Sequence, residues 1–232
     1  MQDSTLARTL VFDLYGTLVD TGSVTAECER VFPGHGKAVS NTWRAKQLQY
    51  TWLLNSMGEY LDFGELTRRA LTFACRSEGL RCGAGTANSL MEAYLDLAPF
   101  EDVLPAARDL IDRGATLFVL SNGTVEMVQQ ALGRGGLLCL FSGILSVDSI
   151  GAYKPDPRVY GMAADHLGTP PDAIGFVSAN SWDIAGAASF GLKTVWVNRS
   201  GAVADEIGAG ACVEVASLTD LPALLKDDEL QQ

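Results

Sequence analysis

The sequence predicts an α/β fold: a doubly wound parallel sheet with a block of helices inserted after its first strand. Two observations carry this. Short apolar runs rich in β-branched residues alternate with helical stretches, and the alternation breaks between roughly residues 20 and 99, where no strand signal remains.

In chain order, TLVFD at 9–13 reads as a buried parallel strand, being continuously apolar up to the turn YGT. Within the break, Val39, Trp43, Tyr50, Leu54, Met57 and Leu61 recur at steps of three, four or seven, which is a helical stripe. Strands resume after Ala98, Pro99 and Phe100, at 116–120 (TLFVL, followed by SNGT), 143–147 (GILSV), 174–178 (IGFVS) and 194–198 (TVWVN). Helices are expected at 124–132 and 157–167, and the polar tail from Asp227 to Gln232 is expected to fray. The domain reading is a core of residues 1–19 and 100–232 under a helical cap of residues 20–99. A cap in that place would cover the carboxyl ends of the strands, where open α/β sheets bind ligands.

A chain of 232 residues is long enough for one large domain or a core with an insertion. With 47% hydrophobic and 19% charged residues it matches globular usage, which excludes disordered, collagen-like and coiled-coil classes. No apolar run approaches ~18 residues, so no membrane-spanning helix is expected. Asp13 interrupts the run from Leu10 to Leu14, so no secretory signal is expected either, and the reading is cytoplasmic. Seventeen basic against 28 acidic residues leave a net charge of −11, which repels a polyphosphate and argues against nucleic acid. Cys28, Cys75, Cys82, Cys139 and Cys212 form no CxxC pair and are odd in number, so they read as buried free thiols. His35 and His166 belong to no motif and read as surface residues.

Chemistry is concentrated at the strand ends. Asp13 ends the first strand before Gly16, which permits a tight turn of ligand-facing amides; it is a candidate nucleophile, or a simple strand-end cap. Ser121 and Asn122 follow the second strand at the start of a helix, an arrangement that binds anions or merely caps the helix. Lys154 precedes Pro155 outside any regular helix, where its ammonium can enter a cleft or lie in solvent. Ser178, Asn180, Trp182 and Asp183 crowd the end of the fourth strand. One sheet brings Asp13, Ser121, Lys154 and Asp183 to the same edge.

These four segments, in this order and spacing, resemble the (S)-2-haloacid dehalogenases of the haloacid dehalogenase superfamily. The resemblance reaches into the insertion, where FPGHGKAVSNTWRAKQLQYTWL (32–53) is similar to the family's cap helix with its arginine, here Arg44. LAPF (97–100), LSVD (145–148) and VWVNRSG (195–201) extend it over nearly the whole chain. It implies a Rossmann-like core under a helical cap, a metal-independent and cofactor-free hydrolase acting on small 2-halocarboxylic acids, and a homodimer. It also implies covalent chemistry, in which Asp13 attacks the α-carbon, expels halide with inversion, and is regenerated by water that Asp183 positions or activates with Lys154 and Asn180. Ser121 with the amides near Leu14 and Tyr15 would hold the substrate carboxylate, and Arg44 and Asn122 the departing halide. Thr17, Tyr160 and Ser178 match family positions that hydrogen-bond the carboxylates and lysine. Tyr15, Leu48, Phe63 and Trp182 would line the alkyl pocket, although Leu48, Phe63 and Trp182 read equally well as core.

Two alternatives stand beside this reading. A Mg²⁺-dependent phosphatase on the same fold needs a general acid where Tyr15 stands and a carboxylate where Ala179 stands; a phenol with a pKa of about 10 is a poor neutral-pH acid. A non-catalytic small-anion binder would be expected to lack a catalytic group. Ala45 and Ala179 depart from the longer polar or hydroxyl side chains of some relatives. Charge also decides: two carboxylates at ~4 Å repel by about 4 kcal/mol at an effective dielectric of 20, so cations such as Lys154 and Arg44 must lie close.

Overall fold

A computed structural model describes residues 6–225 and has the doubly wound α/β architecture. Six parallel strands, β1 (Thr9–Phe12), β2 (Thr116–Ser121), β3 (Gly143–Ser146), β4 (Gly175–Ser178), β5 (Lys193–Val197) and β6 (Val213–Val215), lie in the order β3-β2-β1-β4-β5-β6. The order reverses direction at β1, between β2 and β4, and this switch point opens a crevice beyond the strand ends. The insertion after β1 carries four helices, α1 (Val24–Val31), α2 (Gly36–Met57), α3 (Phe63–Ser77) and α4 (Ala84–Leu95), before α5 (Val103–Asp112) leads into β2. The remainder, α6 (Val125–Arg134), α7 (Pro157–Leu167) and α8 (Ser181–Phe190), connect the strands.

Burial explains the strands. Leu10, Val11, Val119, Phe176, Val177 and Val195 are fully buried, which suits continuous apolar runs covered by helices on both faces. Helix starts follow local chemistry: Asp62, Thr124 and Asp156 each accept a backbone N–H at the first turn of α3, α6 and α7, and Pro157 opens α7.

Several expectations shift. β6 escapes the sequence reading because three residues carry too little pattern. In the helical stripe Val39 and Trp43 are buried, whereas Met57 is 63% exposed and Leu61 lies beyond the end of α2, because a left-handed Gly58 stops the helix. The cysteines are free, but only Cys28 and Cys75 are buried; Cys82 is half-buried and Cys139 and Cys212 are exposed. His35 and His166 are exposed. Asp227–Gln232 lie outside the described residues. No helix among the described residues is long and apolar enough to cross a membrane.

Helices α1 to α4 pack on one another and meet the strand ends through specific bonds. Asn55 on α2 brackets the backbone of Tyr153, donating to its carbonyl (2.5 Å) and accepting from its N–H (2.9 Å). Tyr60 donates to Asp148, and Tyr153 to the carbonyl of Leu61. Gly36 allows α2 to start against α1: a Cβ there would lie 2.4 Å from the backbone of Glu29. Alanine at position 36 gains up to about 1 kcal/mol of helix propensity, but the clash costs more. Gly36→Ala is therefore expected to lose about 1–3 kcal/mol in urea unfolding; a variant as stable as the parent would show that the α1–α2 contact relaxes freely.

Candidate active site

Asp13 follows directly on β1, and its N–H donates to the Val177 carbonyl of β4 at 2.9 Å, which orients the side chain into the crevice. The turn after it is tight because the Leu14 carbonyl accepts three N–H groups, from Thr17, Leu18 and Val19. Gly16 sits in that turn at φ +87°, a conformation that favours glycine. The turn folds Thr17 back, so its hydroxyl donates to Asp13 Oδ2 (2.9 Å) while accepting from the Ala179 N–H (2.8 Å). Asn180, the N-cap residue of α8, donates to the same Oδ2 at 2.8 Å and to the Tyr15 carbonyl at 3.1 Å. Ser178 Oγ accepts the Asn180 N–H at 3.1 Å and so holds that residue in place.

Lys154 is not on the surface. It is 1% exposed, and its ammonium donates to Asp13 Oδ1 and to Asp183 Oδ2, each at 3.0 Å, above the ring of Phe176. Its backbone N–H donates to Asn122 Oδ1 at 3.0 Å, which ties its loop to the end of β2. Asp183 lies in the first turn of α8 rather than at the strand end, fully buried, and its Oδ1 accepts from Tyr160 at 2.7 Å. That approach needs Gly186, where a Cβ would come within 2.6 Å of the Tyr160 hydroxyl.

Three buried charges thus sum to −1. Burial alone would discharge the ammonium, but the two carboxylates outweigh it and hold the Lys154 pKa above its ordinary value. Burial, together with the charge of Asp13, pushes Asp183 up to about 6, against the pull of Lys154 and Tyr160. Burial also raises the Tyr160 and Tyr15 phenols well above their ordinary value.

Ser121 is buried and its Oγ accepts the Gly123 N–H at 3.0 Å, leaving its hydroxyl proton to donate elsewhere. Across the crevice, the Tyr15 ring packs between Phe63 (5.4 Å) and Tyr94 (5.5 Å), and Trp43 stacks on Tyr94 (5.4 Å). Arg44 is half-buried and donates to Gln47 at 2.8 Å; Leu48 is half-buried one turn further along α2. Trp182 does not join the rings of Tyr15 and Phe63. It packs edge-on against Trp52 of α2 (5.6 Å), lining with Asn55, Pro155 and Ile207 a separate cavity of about 640 Å³. Gln47, Tyr94 and Trp43 were not among the expected site residues. Gln47 lies four residues after Trp43, on the apolar face of α2, and a polar side chain on such a face is the signal that would have found it. Ala45 is exposed on α2, and Ala179 is half-buried, with its carbonyl accepting from Trp196.

The donor set fits a divalent cation poorly, because the oxygens of Asp183 are taken by Tyr160 and Lys154 and one oxygen of Asp13 by the same ammonium. Among the described residues no cluster of three His, Cys, Asp or Glu side chains could hold a metal.

The haloacid dehalogenase-like hydrolase family model matches residues 7–191. The chain belongs to that family. It is 46% identical over 209 residues, 90% of each chain, to an (S)-2-haloacid dehalogenase of Pseudomonas sp. strain YL, and 44% identical to haloacetate dehalogenase H-2 of Moraxella sp. strain B, covering 86% of this chain and 89% of that one. Among solved structures, an L-2-haloacid dehalogenase from Xanthobacter autotrophicus with chloropropionic acid covalently bound superposes with a TM-score of 0.89 at 32% identity, covering 94% of this chain and 98% of that one.

In this haloacid dehalogenase-like hydrolase, the raised pKa of Asp183 fixes a pH dependence of stability. Between pH ~4 and about 6 the native group binds more protons than the unfolded one, so its contribution is complete below ~4 and is lost as pH rises through about 6. Two pKa units correspond to about 3 kcal/mol. The stability of the parent minus that of Asp183→Asn, from denaturant titrations across pH 4–7, should fall with rising pH; a difference that rises would reverse the assignment.

Proposed function

We propose that the chain hydrolyses (S)-2-haloalkanoic acids to (R)-2-hydroxyalkanoic acids and halide through an ester on Asp13, without a metal. The observation that carries this reading is the shared ammonium of Lys154, which lets a buried carboxylate stay ionised and meet an anionic substrate. Relatives named (S)-2-haloacid dehalogenase supply the substrate class and its handedness.

Oδ2 of Asp13 accepts from two donors, Thr17 and Asn180, whereas Oδ1 accepts only from Lys154, so Oδ1 keeps a lone pair clear of hydrogen bonds and is the attacking atom. It displaces halide from the rear of the α-carbon; the halide leaves with the bonding pair and needs no proton. Ser121 and the Leu14 and Tyr15 amides hold the substrate carboxylate. Arg44 and the NH₂ of Asn122, whose carbonyl oxygen is occupied by Lys154, face the halide. Leu48 and the rings of Tyr15 and Phe63 enclose the alkyl group, and Trp182, packed on Trp52, takes no part in that wall. Water then attacks the ester carbonyl carbon of Asp13, and Asp183, raised toward neutrality, takes one of its protons with Lys154 and Asn180 orienting it; the Cγ–Oδ1 bond breaks, Asp183 returns that proton to the departing alkoxide, and water's second proton leaves to solvent as the Asp13 carboxylate is regenerated. Thr17, Ser178 and Tyr160 hold these groups in register.

The segment 20–99 acts as a cap domain on a core of residues 1–19 and 100–232. The protein works in the cytoplasm, as a homodimer in line with the resemblance. The phosphatase alternative loses further ground because the buried Tyr15 phenol, raised above its ordinary value, is a worse acid than the free side chain.

The direct test is halide release from each enantiomer of 2-chloropropionate with EDTA present. The (S) form should be consumed, the (R) form spared, and chelator should make no difference. Arg44→Lys keeps the charge but loses the planar fork of donors, and should lower turnover on the order of 10²-fold. Equal rates on both enantiomers would sink the fixed three-point geometry, and loss of activity on chelation, restored by Mg²⁺, would sink the metal-free reading.

A further inference from the structure

We propose that Gln47 is the positioning residue for Arg44, fixing its guanidinium toward the leaving halide through a buried chain of hydrogen bonds across three helices. The inference rests on the dehalogenase reading above. Gln47 is fully buried on α2, three residues after Arg44 and so on the same face. Its Oε1 accepts from Arg44 Nη1 (2.8 Å) and from the hydroxyl of Tyr94 on α4 (3.0 Å), and its Nε2 donates to Thr67 Oγ1 on α3 (2.6 Å).

The orientation of this amide is determined by its neighbours. Thr67 commits its hydroxyl proton to the Phe63 carbonyl at 2.5 Å, so Thr67 Oγ1 faces Gln47 only as an acceptor. Gln47 must then present NH₂ to Thr67 and its carbonyl oxygen to Arg44. The flipped amide would set its NH₂ against the Arg44 guanidinium, donor against donor, and its oxygen against the committed Thr67 hydroxyl. Trp43 locks the same turn by donating its Nε1 to the Thr67 carbonyl at 2.8 Å.

An arginine on a free stem samples many rotamers; holding Nη1 fixes the plane of the fork and leaves its remaining N–H groups aimed before the reaction begins. Tyr94 shares the same oxygen and stacks on Tyr15, two residues after the nucleophile, so the chain runs from the cap helices to the edge of the reacting centre.

A merely structural role would cost stability and reduce every substrate alike. A positioning role has a leaving-group signature, because chloride departs less readily than bromide and depends more on the guanidinium. The experiment measures single-turnover halide release from (S)-2-chloropropionate and (S)-2-bromopropionate by Gln47→Met, which keeps the volume and loses the amide, with Arg44→Lys alongside. The expected result is a fall of roughly 10- to 100-fold for chloride and a smaller one for bromide, with the same bias in Arg44→Lys. Equal factors for both halides in Gln47→Met, beside a clear bias in Arg44→Lys, would overturn the role of Gln47 alone. No bias in either variant would overturn the role of Arg44, and this inference with it. If Gln47→Met does not fold, Thr67→Val removes the amide's acceptor in the same shape: a chloride-selective loss supports the positioning role, and equal loss for both halides overturns it.

Discussion

The ammonium of Lys154 is the interaction on which the rest of the site depends. Two carboxylates, Asp13 and Asp183, are buried beyond the ends of β1 and β4, and each gives one oxygen to the same nitrogen at 3.0 Å. Burying an ion without a partner costs several kcal/mol, so this charge balance decides whether the carboxylates can remain ionised inside the protein. Asp183, fully buried, is pushed up to about 6 by that burial, and Asp13 opens onto the crevice.

Much of the surrounding structure serves to keep that nitrogen in place. Asn122 holds the backbone of Lys154, Asn55 brackets the backbone of Tyr153 beside it, and Gly186 lets Tyr160 reach Asp183. The Asn55 bonds tie α2 to the loop that carries Lys154, so the cation that organises the strand ends and the helix that carries Arg44 are held in one frame. In a protein of net charge −11, an anionic substrate finds local positive charge only where such side chains converge.

The legible parts of the sequence were those whose signal is local. Runs such as TLVF and GFVS are apolar throughout because both faces of a parallel sheet are covered, and polar residues at their ends stand out against them. Asp13, Ser121, Lys154 and Asp183 could therefore be assigned to one edge from order alone. The illegible parts needed a third dimension. Tyr94 looks like an ordinary helix position, and the polar Gln47 on an apolar face shows what it holds only once the neighbouring elements supply Thr67 and Tyr15. Trp182 stands between Asn180 and Asp183 in sequence, yet its ring turns away to Trp52, and β6 is too short to register. The resemblance supplied Arg44, Thr17 and Tyr160, which no spacing rule would have selected.

The central claim is that Asp13 itself becomes the ester and supplies the oxygen of the product. A single turnover of (S)-2-chloropropionate in H₂¹⁸O, with enzyme in excess, followed by mass spectrometry of the product and of the peptide containing Asp13, tests it most directly. The account predicts unlabelled 2-hydroxypropionate and one ¹⁸O retained in the carboxylate of Asp13. Label in the product of that first turnover, with none in the peptide, would mean that water attacks the substrate directly and would contradict it.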